Sequence, residues 1–356
     1  MKLKAFIRRR LMRWHVDSSD LGVGATLIRE LSASIVPSGH EATWQRRPSI
    51  SFDGTPIILS QKIGRNIGEA LRVLVEPGSF DMTVAQQITF SLMRLDRLLG
   101  VLGWRTAAAD INSIATQVFP SDRAATSGWW GGIWLGTNVL PSVNGSLSFA
   151  ELRLYLNLRH GTTAVRWRTV ATLVSSFLSP SLEPLLDNWL TTVSSHAIPV
   201  GLGLVVADGR VSAIRVYVGV YSPTLESLSA LSSSFCAASH RELAQAHDSF
   251  TDRFGAMRPH AATIGYDFIR DMTPHSPLTI GRVKVDICCH LVAPEERLLL
   301  ASWIKQLLVA WLFEPSSLEA FLDDVHAVWT SSEIQFLSLG FTSSLDHVTV
   351  YVKPGA

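Results

Sequence analysis

The chain of 356 residues is 17% charged with a formal net charge of +1 at pH 7, so overall charge gives it no handle on nucleic acid or an acidic partner. Hydrophobic residues reach 47%, which implies a large core or an apolar cavity. Its three cysteines, two of them adjacent (Cys288, Cys289), form no CxxC pair and there is no HExxH run, so neither a disulfide framework nor a zinc site is indicated and a reducing, cytoplasmic setting is expected.

The opening stretch "MKLKAFIRRRLMRW" holds Lys2, Lys4, Arg8, Arg9, Arg10 and Arg13 and no acid. It lacks the apolar h-region of a signal peptide. Residues 1–20 therefore read as a basic arm in solvent, with contact to an anionic surface as the alternative. Residues 21–356 read as a single domain. An amphipathic run, "VGATLIRELSASI", leads into the strand-like pair "DGTPIILSQKI" and "LRVLVEP" (71–77). The helical pattern of "TVAQQITFSLMRLDRLLGVLG" follows, then a second pair, "GGIWLGTNVL" and "LRLYLNL" (152–158). After "VRWRTVATLVSSFL" comes the third pair, "VGLGLVVADGR" and "IRVYVGV" (214–220). The long run "SPTLESLSALSSSFCAASHRELAQAHDSF" precedes the fourth, "ATIGYDFIRDM" and "VKVDICC" (283–289). "APEERLLLASWIKQLLVAWLF" and "SSLEAFLDDVHAVW" lead to the last, "IQFLSLGFT" and "VTVYVKP" (348–354). The first of these two is the nearest thing to a membrane span, but Lys305 and Gln306 interrupt it at helical spacing, so no span is expected.

Two-stranded units alternating with helices, repeated five times, make an α+β fold of about ten antiparallel strands. Closing the sheet into a barrel removes its edges and puts the helices outside. In the third unit, alternation sends Ile214, Val216, Val218 and Val220 to one face and Arg215 and Tyr217 to the other. The corresponding polar positions elsewhere are Arg72, Arg153 and Lys284, with Tyr155 and Tyr351. An open sheet with this face in water is the alternative. Three of the chain's five tyrosines share one register, which favours a lumen.

Cations gathered in a lumen need an anion, because an unpaired buried charge is costly. Asp286 and Glu76 are the acids visible on these faces, so a polyanionic ligand is expected, and Arg suits phosphate oxygens. No GxxxxGK[ST] loop or GxGxxG run suggests a nucleotide. Tyrosines two residues beyond the cations suit an organic cation. An allylic diphosphate ionises to such a pair, with the barrel wall excluding water. "FLDDVHAVW" lacks the third Asp of a DDxxD magnesium motif, so Asp323 and Asp324 read as the polar face of a helix and no metal is expected.

"DGTPIILS" followed by "ALRVLVEP", then "LRLYLNL", "AIRVYV" and "VTVYVKP", resemble in that order the motifs of the dimethylallyltryptophan synthase family of indole prenyltransferases. The resemblance runs from about residue 21 to the end and implies the αββα prenyltransferase barrel. It implies diphosphate contacts at Arg72, Arg153 and Arg215, and cation-shielding tyrosines at Tyr155, Tyr217 and Tyr351. Lys284 joins the cations by its place in the fourth unit. Three positions depart from the family pattern. Ile58 stands where the family has a Glu that receives the indole N–H, Ala213 replaces an Arg, and Asp286 replaces a Tyr.

Asp286 reads either as a base for the proton of the alkylated acceptor or as a salt-bridge partner of Lys284. His290, placed on the same strand face, reads as a proton relay or a structural histidine. Trp130 and Trp134 read as walls of a prenyl or acceptor pocket, or as core at a helix–sheet seam. The expected activity is metal-independent transfer of an allylic prenyl group from a prenyl diphosphate co-substrate to an electron-rich aromatic acceptor, an indole, tryptophan or Trp-containing peptide. The alternatives are a cyclase or non-indole prenyltransferase on the same barrel, and a non-catalytic barrel that binds an amphipathic phosphate.

Overall fold

Apolar–polar alternation closes this chain into a barrel. The computed structural model describes residues 2–14, 22–34, 56–64, 70–78, 82–119, 132–141, 147–235, 241–270, 281–342 and 344–355. The strands are β1 (Ile57–Gly64), β2 (Ala70–Val75), β3 (Ile133–Pro141), β4 (Leu147–Asn157), β5 (Ala197–Ala207), β6 (Arg210–Val220), β7 (Ala262–Ile269), β8 (Gly281–Cys288), β9 (Ser332–Phe341) and β10 (Leu345–Pro354). Each pairs antiparallel with its sequence neighbours, and β1 pairs with β10 to complete the closed barrel. Every strand expected from the alternation pattern is present.

The outward residues, such as Leu152, Leu154 and Leu156 of β4 or Val348, Val350 and Val352 of β10, are buried in one continuous core under the helices. The ring consists of α1 (Lys2–Arg13), α2 (Gly22–Ser34), α3 (Val84–Leu102), α4 (Ala107–Val118), α5 (Thr163–Phe177), α6 (Glu183–Ser194), α7 (Leu225–Ser233), α8 (Arg241–Phe254), α9 (Leu300–Ala310) and α10 (Ser316–His326). Local sequence sets these ends. Thr83 and Gln86 form a reciprocal capping box at the start of α3, and Gly103, at φ +72°, terminates it.

The helical layer departs from the sequence expectation in three ways. Helices α4 and α6 were hidden because each buries a narrow stripe, Ile111, Ile114, Ala115 and Val118 in the first and Leu186, Trp189 and Val193 in the second. The run expected as one helix over 222–250 is two, since α7 ends at Ser233 and α8 starts at Arg241. The run 293–313 opens as a 3₁₀ turn at Pro294–Leu299 before α9 begins.

The basic opening segment is not a solvated arm. It is helix α1, whose Leu3, Phe6, Ile7 and Leu11 are buried. Phe6 packs against Phe321 and Trp329, with ring centroids 6.3 and 5.6 Å away. Arg10 is wholly buried and reaches Asp324 of α10 at 3.1 Å and Gln61 of β1 at 3.0 Å. Arg13 donates to both oxygens of the same carboxylate at 3.0 Å. Asp324 is therefore a buried anchor, and of the acid pair only Asp323 lies on the exposed face.

Removing one partner of a buried ion pair strands the other charge. Asp324→Ala should cost roughly 3–5 kcal/mol in urea unfolding, whereas Asp323→Ala should stay within about 0.5 kcal/mol of the parent.

Candidate active site

The inward face of the barrel carries large polar side chains because the facing strands supply glycine. Arg215 is paired with Gly203 on one side and Asp267 on the other, and Tyr217 with Gly201 and Gly265. A Cβ on Gly265 would lie 3.0 Å from Arg215 Cδ and 3.2 Å from the Tyr217 ring. A Cβ on Gly340 would collide with the His347 ring. A glycine inside a strand pattern is the sequence signal for such close approach.

Toward one end of the lumen lies an apolar, aromatic chamber. Ile58, Leu74, Trp134 and Tyr351 form its buried cluster, with Tyr155 and Phe336 packed against it. A cavity of about 850 Å³, part of it open to solvent, is lined by these tyrosines, Tyr217, Lys284, Asp286 and Arg159 among others. The Tyr155 and Tyr217 rings lie 6.0 Å apart, and Phe336 meets Tyr351 edge-on at 6.1 Å. Lys284 Nζ sits 4.6 Å from the centre of the Tyr351 ring and 5.8 Å from that of Tyr217. Tyr155 Oη and Trp134 Nε1 are buried in this wall with no partner among the described residues.

Behind the hydroxyl ends of the tyrosines stands a layer of cations. Arg72 Nη1 donates to Tyr351 Oη at 3.0 Å, and Lys284 Nζ donates to the same oxygen at 2.9 Å. Arg215 Nη1 lies 3.5 Å from Tyr217 Oη. These cations are accompanied by acids. Asp267 takes both Nε and Nη2 of Arg215, and Asp286 lies 2.9 Å from Lys284. Arg72 Nε donates to Asn138, whose amide donates to Glu151, which also receives Arg153 Nε at 2.6 Å.

The charges tune one another. Burial pushes the Glu151 carboxyl up, but Arg153 outweighs it and holds the group at about 2. Burial likewise opposes Asp267 and is overcome by Arg215, leaving it below its ordinary value. Lys62, also in the lumen, is lowered to about 8 by burial and by Arg72 and Arg153. Burial drives the Tyr217 phenol up, with Tyr155 adding to the shift. Burial also opposes ionisation of Tyr351, yet Lys284 and Arg72 prevail and its phenol lies below the ordinary value. An interior with this excess of donors can hold a compact polyanion against an apolar chamber.

Most of the expected residues meet here. Arg72, Arg153, Arg215, Lys284, Tyr155, Tyr217 and Tyr351 all face the lumen, as do Ile58, Trp134 and Asp286. His290 does not share their strand face. β8 ends at Cys288, and His290 lies in a 3₁₀ turn, packed on Phe336 at 5.4 Å and 3.3 Å from the Gln335 carbonyl. Burial lowers its imidazole to about 4. Trp130 lies outside the described residues. The expectation of few lumen acids overlooked Glu151 and Asp267, and Glu76 follows the end of β2 without lining the cavity. Glu151 was legible, two residues before Arg153. Asp267 meets Arg215 only through strand register. Among the described residues, no three of His, Cys, Asp and Glu gather as a metal site, and no helix is long and apolar enough to cross a membrane.

The 6-dimethylallyltryptophan synthase from Micromonospora olivasterospora, solved in complex with DMASPP and Trp, superposes over 99% of this chain and 96% of its own, with a TM-score of 0.75 and 15% identity. The barrel is an αββα prenyltransferase barrel. The 5-dimethylallyltryptophan synthase from Streptomyces coelicolor matches the same shares at TM-score 0.74 and 16% identity. AnaPT from Neosartorya fischeri covers 93% of this chain and 86% of its own at 0.61 and 14%. No protein-family model matches the chain, and no curated protein is similar to it in sequence.

One further group of this prenyltransferase barrel went unnoticed in the sequence. Burial, followed by the charges of Lys62, Arg215, Lys284 and Arg72, holds the His347 imidazole well below its ordinary value and keeps it neutral at pH 7. An anion among those cations would cancel their repulsion and raise its affinity for a proton. Inorganic diphosphate should therefore bind with proton uptake, and more tightly as pH falls from about 8 to about 6. Calorimetry in buffers of different ionisation enthalpy measures that uptake. His347→Gln should reduce it, the proton chemistry of diphosphate itself being common to both proteins.

Proposed function

We propose that the protein is an aromatic prenyltransferase that moves an allylic prenyl group from a prenyl diphosphate to an electron-rich aromatic acceptor. The observation that carries this reading is the junction of the two halves of the lumen. Tyrosine rings wall an apolar chamber, while the hydroxyl of Tyr351 meets Arg72 and Lys284 and that of Tyr217 meets Arg215. Arg72, Arg153, Arg215 and Lys284 would hold the diphosphate as it departs, stabilising the charge that develops on its oxygens. Tyr155, Tyr217 and Tyr351 would face the allylic cation with their π-clouds. The walls would keep water from capturing it. The fold neighbour solved with DMASPP and Trp lends support. In this reading the cations do the work that a divalent metal does in other diphosphate enzymes, and the protein acts in the cytoplasm on small molecules or a Trp-containing peptide.

Ile58 favours a second reading within the class. It is 1% exposed among Leu74, Trp134 and Tyr351, so that wall offers no carboxylate for an indole N–H. Asp286 is the carboxylate that lines the cavity. Non-indole aromatics such as naphthols are therefore acceptors to test beside indoles.

Mass spectrometry of products decides. The protein is incubated with dimethylallyl, geranyl or farnesyl diphosphate, alone and with tryptophan, indole, dihydroxynaphthalene or short Trp peptides, with and without EDTA. An EDTA-resistant adduct carrying one prenyl unit is the expected result. Diphosphate release with a cyclised hydrocarbon or alcohol and no adduct would point to a cyclase. No release from any donor would leave an anion-binding barrel. Ile58→Glu should shift the ratio of indole to 1-methylindole products toward indole by about tenfold or more, because a site that bonds an N–H rejects an acceptor lacking it.

A further inference from the structure

We infer that Asp286, Lys284 and Tyr351 form a proton relay that carries the proton shed by the alkylated acceptor to the departing diphosphate. The inference rests on the prenyl-transfer reading and assigns the proton traffic of that site. Lys284 Nζ is 2.9 Å from Asp286 Oδ1 and 2.9 Å from Tyr351 Oη, so one ammonium bridges the two groups. Asp286 and Tyr351 both line the cavity. Tyr351 Oη also accepts from Arg72 Nη1 at 3.0 Å. Arg and Lys can only donate. Both acceptor positions of the phenol oxygen are thus taken, and its own proton is left to point elsewhere, in the layer where the diphosphate would sit. The Asp286 carboxylate is held in place by Ser338 Oγ and by Thr263 Oγ1, the latter at 3.3 Å.

The steps balance. The allylic C–O bond breaks with its electron pair going to the diphosphate oxygen, and Tyr351 gives that oxygen its proton. A π pair of the acceptor ring forms the new C–C bond to the allylic carbon. Asp286 then takes the proton from the alkylated ring carbon, and the C–H pair restores aromaticity. Lys284 passes a proton to the Tyr351 phenolate and receives one from Asp286. Each group ends as it began, and the acceptor proton has become the proton on diphosphate.

The charged groups that act on Tyr351 are Arg72 from β2 and Lys284 and Asp286 from β8, with the Phe336 ring of β9 packed beside it. The first two lower its phenol while the Tyr217 phenol is raised. Environments that push two like groups apart mark the one that exchanges a proton.

The test uses the full chain with the acceptor that gives an adduct in the product survey and three donors, dimethylallyl diphosphate and the dimethylallyl esters of methylene- and difluoromethylene-bisphosphonate. No wild-type adduct with any acceptor in the product survey would sink the transfer reading, and the relay with it. Given an adduct, Tyr351→Phe keeps the shielding ring and loses the proton, so kcat should fall by about 100-fold. That loss should grow at least about tenfold on the more basic methylene leaving group. An equal loss on both esters, which a packing or shielding role would give, overturns the relay. Asp286→Asn should make turnover sensitive to deuterium on the reacting ring carbon of that acceptor, and an insensitive variant counts against it. Should either variant fail to fold, the wild-type rate in mixtures of light and heavy water decides. A curved dependence, the mark of several protons in flight, is expected; a flat or linear one overturns the relay.

Discussion

A closed barrel that keeps guanidinium and ammonium groups inside it must solve a charge problem before it can do chemistry. Taking such ions out of water costs several kcal/mol each unless partners are in place. Here the partners are built into the wall. Asp267 grips Arg215, Glu151 holds Arg153, and Asp286 holds Lys284. Two of these acids leave part of their cation facing the lumen: Arg215 turns Nη1 toward Tyr217, and Lys284 reaches Tyr351. The wall itself therefore neutralises much of this charge, yet it retains donors whose geometry is set in advance. An incoming anion meets an array that needs little rearrangement, the condition under which electrostatic stabilisation costs least.

The same pairing organises the aromatic half. Tyrosine hydroxyls facing fixed cations orient the rings, and the rings in turn define the chamber. Had the cations been free to swing, Tyr351 would have no reason to keep one edge in the apolar cluster and its oxygen between Arg72 and Lys284. The two tyrosines that flank Lys284 thus shift in opposite directions, the Tyr217 phenol up and the Tyr351 phenol down.

The sequence revealed the barrel well because strand alternation is local. Ile214, Val216, Val218 and Val220 announced an outer face, and all are buried there. The cations and tyrosines of the even-numbered strands were legible for the same reason. What was not legible depends on register between distant segments. Nothing near Asp267 in the chain says that Arg215 lies opposite, and nothing near Arg10 says that Asp324 waits on α10. The basic opening segment misled because six cations without an acid look solvated, whereas the compensating carboxylate lies 314 residues away. His290 was misplaced by a strand that stops two residues early.

The seam between β1 and β10 has a consequence for how the chain is made. β1 takes β10 as a partner, and α1 is pinned to α10 through Asp324, so the earliest described segments are completed by the latest. During synthesis the first hairpin emerges with one edge unpaired and an arginine with no carboxylate to meet. It must wait for nearly the whole chain before either is satisfied. Long-range closure of this kind slows folding and leaves a sticky edge exposed in the interval.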